Sequence, residues 1–173
     1  PEGGYYNNPK GLEVMKSLGK KPQAFDSLQK LNTPGLKVFH VQDIDFRSHQ
    51  LIFTEALEEL KRWSQANSGH TPITITINAK DGKTPNTRDP LPFTAEALKS
   101  IDSEIKQVMD AESLITPDLV MGSYETLEQA ILTKGWPLLK DVKNRFLFVL
   151  DVLAILDDAF FYKIMKMDYT GIF

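Results

Sequence analysis

The sequence contains no cysteine and no long apolar run. The absence of cysteine excludes disulfides and thiolate metal sites, although it leaves the compartment open. No stretch approaches the ~18 to 20 apolar residues of a membrane-spanning helix. The first residues, PEGGYYNNPK, have neither the basic nor the apolar region of a signal peptide. We therefore expect a soluble, globular chain without a transmembrane segment.

An excess of positive charge is also missing. The chain carries 20 Lys and Arg against 23 Asp and Glu, for a net charge of -3. Binding to nucleic acid phosphates requires a clustered positive field, and the sequence has no basic stripe, so we expect no nucleic-acid partner. Apolar residues make up 42% of the 173 residues, which is enough to form the buried core of one domain.

Strand and helix patterns alternate along the chain. Apolar or β-branched runs predict strands over 36–42, 72–78 and 146–151, and a short strand over 113–116. Apolar residues at three- and four-residue steps predict helices from Thr54 to about Asn67, after a Thr94 N-cap, and over 124–133. With no hairpin signals between them, these elements predict an α/β fold with a parallel sheet.

Polar residues follow three of the predicted strands. They are His40 to Asp45, Asn78 to Asp81, and Asp151. Parallel sheets place their chemistry at the carboxyl ends of the strands, in open sheets and in eight-stranded barrels alike. These residues are therefore the first candidates for a functional site. The other two histidines, His49 and His70, lie in polar loops, where we expect them to be solvated.

Each candidate has a structural alternative. His40 could transfer protons near a reacting oxygen, or it could be a core histidine bonded to a backbone carbonyl. Asn78 could offer an amide oxygen to a hard cation and Lys80 could hold a phosphate, whereas Asn78 with Asp81-Gly82 could equally form a turn. We interpret Asp43, Asp45 and Arg47 as an ion-paired loop. No Walker loop, dinucleotide-binding glycine pattern, HExxH motif or nucleophile elbow is present.

Five segments of the chain carry a family resemblance. They are PEGGYYNNPKGLEV, KVFHVQDIDFRS, FTEALEELKRWSQANSGHTPITITINAKD, DPLPFTAEALKSIDSEI and LITPDLVMGSYETLEQAILTKGWPLLKDVKNRFLFVLD. Together they resemble the calcium-dependent phosphatidylinositol-specific phospholipase C family of bacterial and fungal type, within the phospholipase C-like phosphodiesterase TIM barrels. The segments cover most of residues 1–151, and the run over 116–151 is specific. Residues 152–173 show no resemblance.

The resemblance implies roles for four residues. His40 looks like the second of the family's two catalytic histidines, and Asn78 stands at the position of a calcium ligand. Animal relatives have a Glu where this chain has Asn78, so the resemblance implies weaker calcium binding. Lys80 and Asp151 would face the head group of the substrate. The first histidine and a Glu-x-Asp pair of calcium ligands should precede Pro1, so we expect an incomplete (β/α)8 TIM barrel.

The implied function is a calcium-dependent phosphodiesterase at a membrane surface. It would cleave phosphatidylinositol to diacylglycerol and inositol phosphate, and because the full-length family is often exported, we expect an extracellular or exported protein. Two alternatives stay open: a glycerophosphodiester phosphodiesterase, and a non-catalytic remnant acting as a binding or scaffold protein. We expect residues 1–173 to form one partial catalytic barrel domain, with 152–173 as an irregular tail. An incomplete barrel exposes strand edges, so we also expect self-association.

Overall fold

The computed structural model describes residues 13, 16–20, 30–40, 48–85 and 89–151. It contains two compact units, the first formed by Pro1–Glu59 and Asp81–Phe93 and the second by Leu60–Lys80 and Thr94–Phe173. The opening segment 1–10, the loop 41–47 and the tail 152–173 lie outside the described residues. The single partial domain over 1–173 and its irregular tail stay predictions. Among the described residues, no helix is long and apolar enough to cross a membrane.

The second unit is built on a pair of parallel strands. β1 (Ile73–Asn78) pairs with β2 (Phe146–Asp151), in a register that runs from Ile73 opposite Phe146 to Asn78 opposite Asp151. Alternating isoleucine and threonine in β1, and the apolar run of β2, favour the extended backbone. Both predicted strands are therefore confirmed, and so is their parallel pairing.

The described helices have bounds set by recognisable caps. They are α1 (Phe53–Ala66), which precedes β1, and α2 (Ala95–Val108), α3 (Pro117–Met121) and α4 (Leu127–Lys134), which lie between β1 and β2 along the chain. The last three begin after a threonine whose hydroxyl accepts a hydrogen bond from a backbone N–H in the first turn: Thr94 from Ala97, Thr116 from Leu119, and Thr126 from Gln129. The predicted Thr94 cap is confirmed.

Apolar side chains from these elements form the core of the second unit. α2 buries Leu98, Ile101 and Ile105, whose spacing places them on one face of the helix. Phe146 and Phe148 of β2 are each only 1% exposed. A smaller cluster joins α3 to the segment before β2 and consists of Ile115, Val120 and Val142, with Ile131 and Leu147 packed against it. The main core thus covers the face of the strand pair that carries Phe146 and Phe148, and the smaller cluster contacts Leu147 on the opposite face, near the amino end.

Two sequence predictions between α2 and β2 need correction. The strand predicted over 113–116 is a single parallel bridge between Leu114 and Phe146, because Ala111–Ser113 forms a 3-10 helix directly before it. The helix predicted from Tyr124 begins at Leu127, because the Thr126 side chain caps it. α3 was not predicted, although a capping threonine followed by Pro117 is a common helix start.

The predicted first strand, over 36–42, is wrong in its described part. In residues 36–40 only Lys37 forms a bridge, antiparallel to Ile52, flanked by hydrogen bonds from Val38 N to Leu51 O (3.0 Å) and from Phe53 N to Leu36 O (3.0 Å). The chain therefore doubles back on the segment that leads into α1. The apolar run finds its backbone partners there instead of in a parallel ladder.

The amino end of the strand pair is held by a hydrogen-bonded group around His70. The ring nitrogen Nδ1 lies 2.6 Å from the carbonyl oxygen of Thr71, and Nε2 lies 2.7 Å from the Oγ of the buried Ser64. Since a carbonyl can only accept, Nδ1–H donates to Thr71, and in the neutral imidazole Nε2 then accepts from the Ser64 hydroxyl. The ring centroid lies 5.1 Å from that of Trp63 and 5.9 Å from that of Phe146. The expectation that His70 is solvated is therefore wrong.

Candidate functional site

The carboxyl ends of β1 and β2 bring two of the predicted site residues together. Asn78 and Asp151 are the last residues of their strands and directly opposite each other in the register. The Nδ2 of Asn78 lies 3.3 Å from the Oδ2 of Asp151, and both side chains are exposed. The sequence placed both residues at strand ends, and the register makes them neighbours.

The two faces of the strand pair differ in burial. Phe146 and Phe148 lie on the face that contacts His70, and they are buried. Side chains alternate between faces, so Thr76, Val149, Asn78 and Asp151 share the opposite face, and all four are exposed. The site residues therefore lie on the face that the described core leaves accessible at the carboxyl end.

Lys80 and Asp81 follow β1. Lys80 is exposed, two residues beyond the strand end. Asp81, which belongs to the first unit, accepts a hydrogen bond from the backbone N–H of Phe93 at 3.0 Å. This bond gives Asp81 a structural role in closing the loop that leads toward α2. Residues 79–84 form no turn, so the turn alternative is wrong, and Asn78 contacts Asp151 instead.

His40 lies in the first unit, just after the Lys37 bridge, and its side chain is exposed. It is therefore not the enclosed core histidine of the structural alternative. The residues that follow it, including Asp43, Asp45 and Arg47, lie outside the described residues, so their ion pairing stays a prediction. His49 is exposed, as expected for a histidine in a polar loop.

The donor atoms at the strand ends are of the kind that calcium prefers. An Asn amide oxygen and a carboxylate are hard oxygen ligands, and calcium takes about 6 to 8 of them. Within the described part of the chain, no group of three or more His, Cys, Asp or Glu side chains could hold a metal ion. The oxygens of Asn78 and Asp151 therefore match calcium in chemical type, although the two residues alone are too few for its coordination shell.

Sequence reasoning missed two features of this arrangement. It named Asn78 and Asp151 separately, and the signal that could have paired them is that each is the final polar residue of a predicted parallel strand. It also missed the His70 group at the other end of the sheet. Its partner Ser64 lies in a helix, and the contact depends on how α1 packs, which local sequence does not encode.

Comparisons with known proteins bear on the predicted family. The family profile for calcium-dependent phosphoinositide phospholipase C matches residues 1–169. A calcium-dependent phosphatidylinositol-specific phospholipase C from Streptomyces antibioticus has a structure similar to this one, with a TM-score of 0.51 and 24% sequence identity. That match covers 69% of this chain and 41% of the Streptomyces chain. It shows a shared fold over the matched part, and this chain spans less than half the length of that enzyme.

A second solved structure is a calcium-dependent phosphoinositol-specific phospholipase C from a Pseudomonas species, in its apo form. It is 25% identical, with a TM-score of 0.43, over 58% of this chain and 34% of that chain. No curated protein matches the sequence. The family profile spans nearly the whole chain, which confirms the family predicted from the sequence. Because the match reaches residue 169, the prediction that residues 152–173 show no resemblance to the family is wrong. The protein belongs to the calcium-dependent phosphoinositide phospholipase C family.

Proposed function

We propose that the protein cleaves phosphatidylinositol at a membrane surface, releasing diacylglycerol and an inositol phosphate. The observation that carries this proposal is the family match over residues 1–169. The exposed polar pair at the carboxyl ends of two parallel strands supports it, because this is where parallel α/β folds place their chemistry. Export of the full-length protein stays a prediction.

The complete fold in this proposal is a (β/α)8 barrel. In such a barrel one face of each strand packs against the helices and the other faces the barrel interior. The buried face of β2, with Phe146 and Phe148, corresponds to the helix side. The exposed face, with Thr76 and Val149, would then be the interior side, covered by further strands, and Asn78 and Asp151 would lie at the mouth.

His40 has the proposed role of a general acid or base. Attack by the inositol 2-hydroxyl on phosphorus needs a group that takes the hydroxyl proton and a group that protonates the departing diacylglycerol oxygen. An imidazole can do either near neutral pH, and the His40 side chain is exposed, as a group that meets a lipid substrate must be. His40 would be one of two such imidazoles.

Asn78 is the proposed calcium ligand, with its neutral amide oxygen. Bound calcium would supply positive charge for the phosphoryl oxygens. Because an amide is neutral and the described residues offer only part of a shell, we expect weak binding, near the ~10⁻³ M end of the range for protein calcium sites. The exposed Lys80 ammonium would hold a head-group phosphate, and Asp151 would accept from an inositol hydroxyl.

The test is hydrolysis of phosphatidylinositol vesicles by the full-length natural protein, with calcium and with a chelator. We expect calcium-dependent release of diacylglycerol and inositol phosphate. His40→Ala should lower kcat/KM by about 10² to 10⁴, the usual cost of losing a general acid or base. His49→Ala is the matched control, since His49 is an exposed histidine of the same unit.

Three results would overturn the proposal. Release of glycerol phosphate would identify a glycerophosphodiester phosphodiesterase. Vesicle binding without turnover would identify a non-catalytic binding protein. Full activity of His40→Ala together with a lowered melting temperature would assign His40 a structural role instead of a catalytic one.

A further inference from the structure

The contact between Asn78 and Asp151 fixes which way the Asn78 amide faces. An asparagine amide has an oxygen that accepts and an NH2 group that donates, whereas an ionised carboxylate only accepts. Turning the Asn78 amide over would place its oxygen against the Asp151 carboxylate, with two acceptors and no proton between them. The NH2 group therefore faces Asp151, in agreement with the 3.3 Å distance between Nδ2 and Oδ2.

This orientation determines where the amide oxygen lies. The oxygen and the NH2 group lie in one plane and point in different directions from the shared carbon, so the oxygen is directed away from Asp151. Both residues end their strands on an exposed face of the strand pair. Without Asp151, the amide could present either its oxygen or its NH2 group to a ligand, and an NH2 group repels a cation.

We propose that Asp151 is a positioning residue that holds the Asn78 amide with its oxygen presented to a hard divalent cation. The inference rests on the proposed role of Asn78 as a calcium ligand, and it adds a second role for Asp151 beyond the head-group contact. A carboxylate has two oxygens, so Oδ2 can hold the amide while Oδ1 meets a hydroxyl. Partners that orient a metal ligand in this way typically contribute 10- to 100-fold to metal affinity.

A double-mutant cycle separates positioning from direct ligation and from charge. The probe is calcium alone, titrated into the chain and followed by NMR, with the variants Asn78→Ala, Asp151→Ala and the two combined. Alanine is used at position 151 because an asparagine there would keep an oxygen that accepts from the Asn78 NH2 group. If Asp151 acts through the Asn78 amide, each single variant weakens calcium binding by about 10- to 100-fold. In the Asn78→Ala background, Asp151→Ala then changes the affinity by no more than the loss of one nearby charge, because no amide is left to orient.

A charge-conserving swap is the second arm. In the variant Asn78→Asp with Asp151→Asn, the introduced amide at position 151 can donate to the introduced carboxylate at position 78. We expect this swap to restore calcium affinity to at least the wild-type value. The thermal unfolding curve of every variant should overlay that of wild type, because both side chains are exposed.

The outcomes distinguish this inference from the proposed function. Equal calcium affinity in wild type and Asp151→Ala overturns the positioning role and leaves the calcium role of Asn78 standing. Fold-losses that multiply in the double variant make Asp151 an independent ligand and also overturn the positioning role. A wild-type chain that does not bind calcium at ~10⁻² M, ten times the concentration expected to suffice, overturns both proposals.

Discussion

The two ends of the β1–β2 pair are built differently. At the amino end, the Gly69 N–H donates to Asn144 Oδ1 (2.6 Å), the Asn144 N–H donates to the His70 carbonyl (3.0 Å), and the Ile73 N–H donates to the Arg145 carbonyl (3.0 Å). At the carboxyl end, the exposed Asn78 and Asp151 side chains make a longer contact, with 3.3 Å between Nδ2 and Oδ2. The amino end is thus built for stability, and the carboxyl end leaves polar groups accessible for a ligand.

The difference between the two ends of the strand pair is expected in a parallel sheet. Loops at the amino end can bond tightly to the strands without cost to function, since the chemistry of such folds lies at the other end. Asn144 contributes to this tight bonding. Its backbone is left-handed, with φ 62°, a conformation that asparagine tolerates better than most residues. Its side chain then reaches the N–H of Gly69, at the turn before β1.

The largest expected effect comes from removing the aromatic core at the amino end. Phe146→Ala deletes a side chain that is 1% exposed and should lower the free energy of unfolding by about 3 to 5 kcal/mol. Urea unfolding followed by circular dichroism measures the loss. If this variant does not fold, Phe146→Leu should still show a smaller loss, of about 1 kcal/mol.

Val149→Ala is the matched control for that prediction. Val149 lies in the same strand but is 41% exposed on the opposite face, so its loss should cost less than about 1 kcal/mol. Equal destabilisation by the two variants would contradict the difference between the faces of β2. It would also remove the basis for placing the site on the exposed face.

A smaller effect is expected from breaking the His70 group. His70→Ala leaves the Ser64 hydroxyl, which is buried, without its imidazole partner, and this should cost about 1 to 3 kcal/mol. Removing the hydroxyl as well, in His70→Ala with Ser64→Ala, should recover part of the loss, because no buried polar group is then left unpaired. Thermal unfolding of the single and double variants provides the measurement.

His49→Ala is the control, because His49 is exposed and its loss should lie within about 0.5 kcal/mol of wild type. If His70→Ala is as stable as His49→Ala, the His70 group does not stabilise the amino end of the strand pair. The prediction is also contradicted if adding Ser64→Ala to His70→Ala lowers the free energy of unfolding further instead of restoring part of the loss.

The elements of the second unit were largely predictable from sequence. β1 has isoleucine and threonine in alternation, and α2 has a capping Thr94 followed by Leu98, Ile101 and Ile105 on one face. These signals are local, so a single sequence carries them. The predicted strand over 36–42 was wrong in its described part because the apolar run found an antiparallel partner at Ile52. Strand pairing is not local, and apolar character alone does not choose the partner.

The candidate site shows the same limit. The rule that chemistry lies at the carboxyl ends of parallel strands was enough to select Asn78 and Asp151 from the sequence. Their contact depends on the register of β1 and β2, which is set by the packing of Phe146 and Phe148. The structural role of His70 could not be predicted from the local sequence for the same reason, because it depends on the packing of its ring against Trp63 of α1.

The claim that ligands bind at the carboxyl end of the strand pair, and not at its amino end, is tested most directly by locating the binding site. Backbone NMR signals of the chain are followed while calcium and inositol phosphate are added. We expect the signals of residues 78–80 and of Asp151 to shift as ligand is added, while the signals of Gly69, His70 and Asn144 do not shift. Shifts concentrated at Gly69, His70 and Asn144, with none at Asn78 and Asp151, would contradict it.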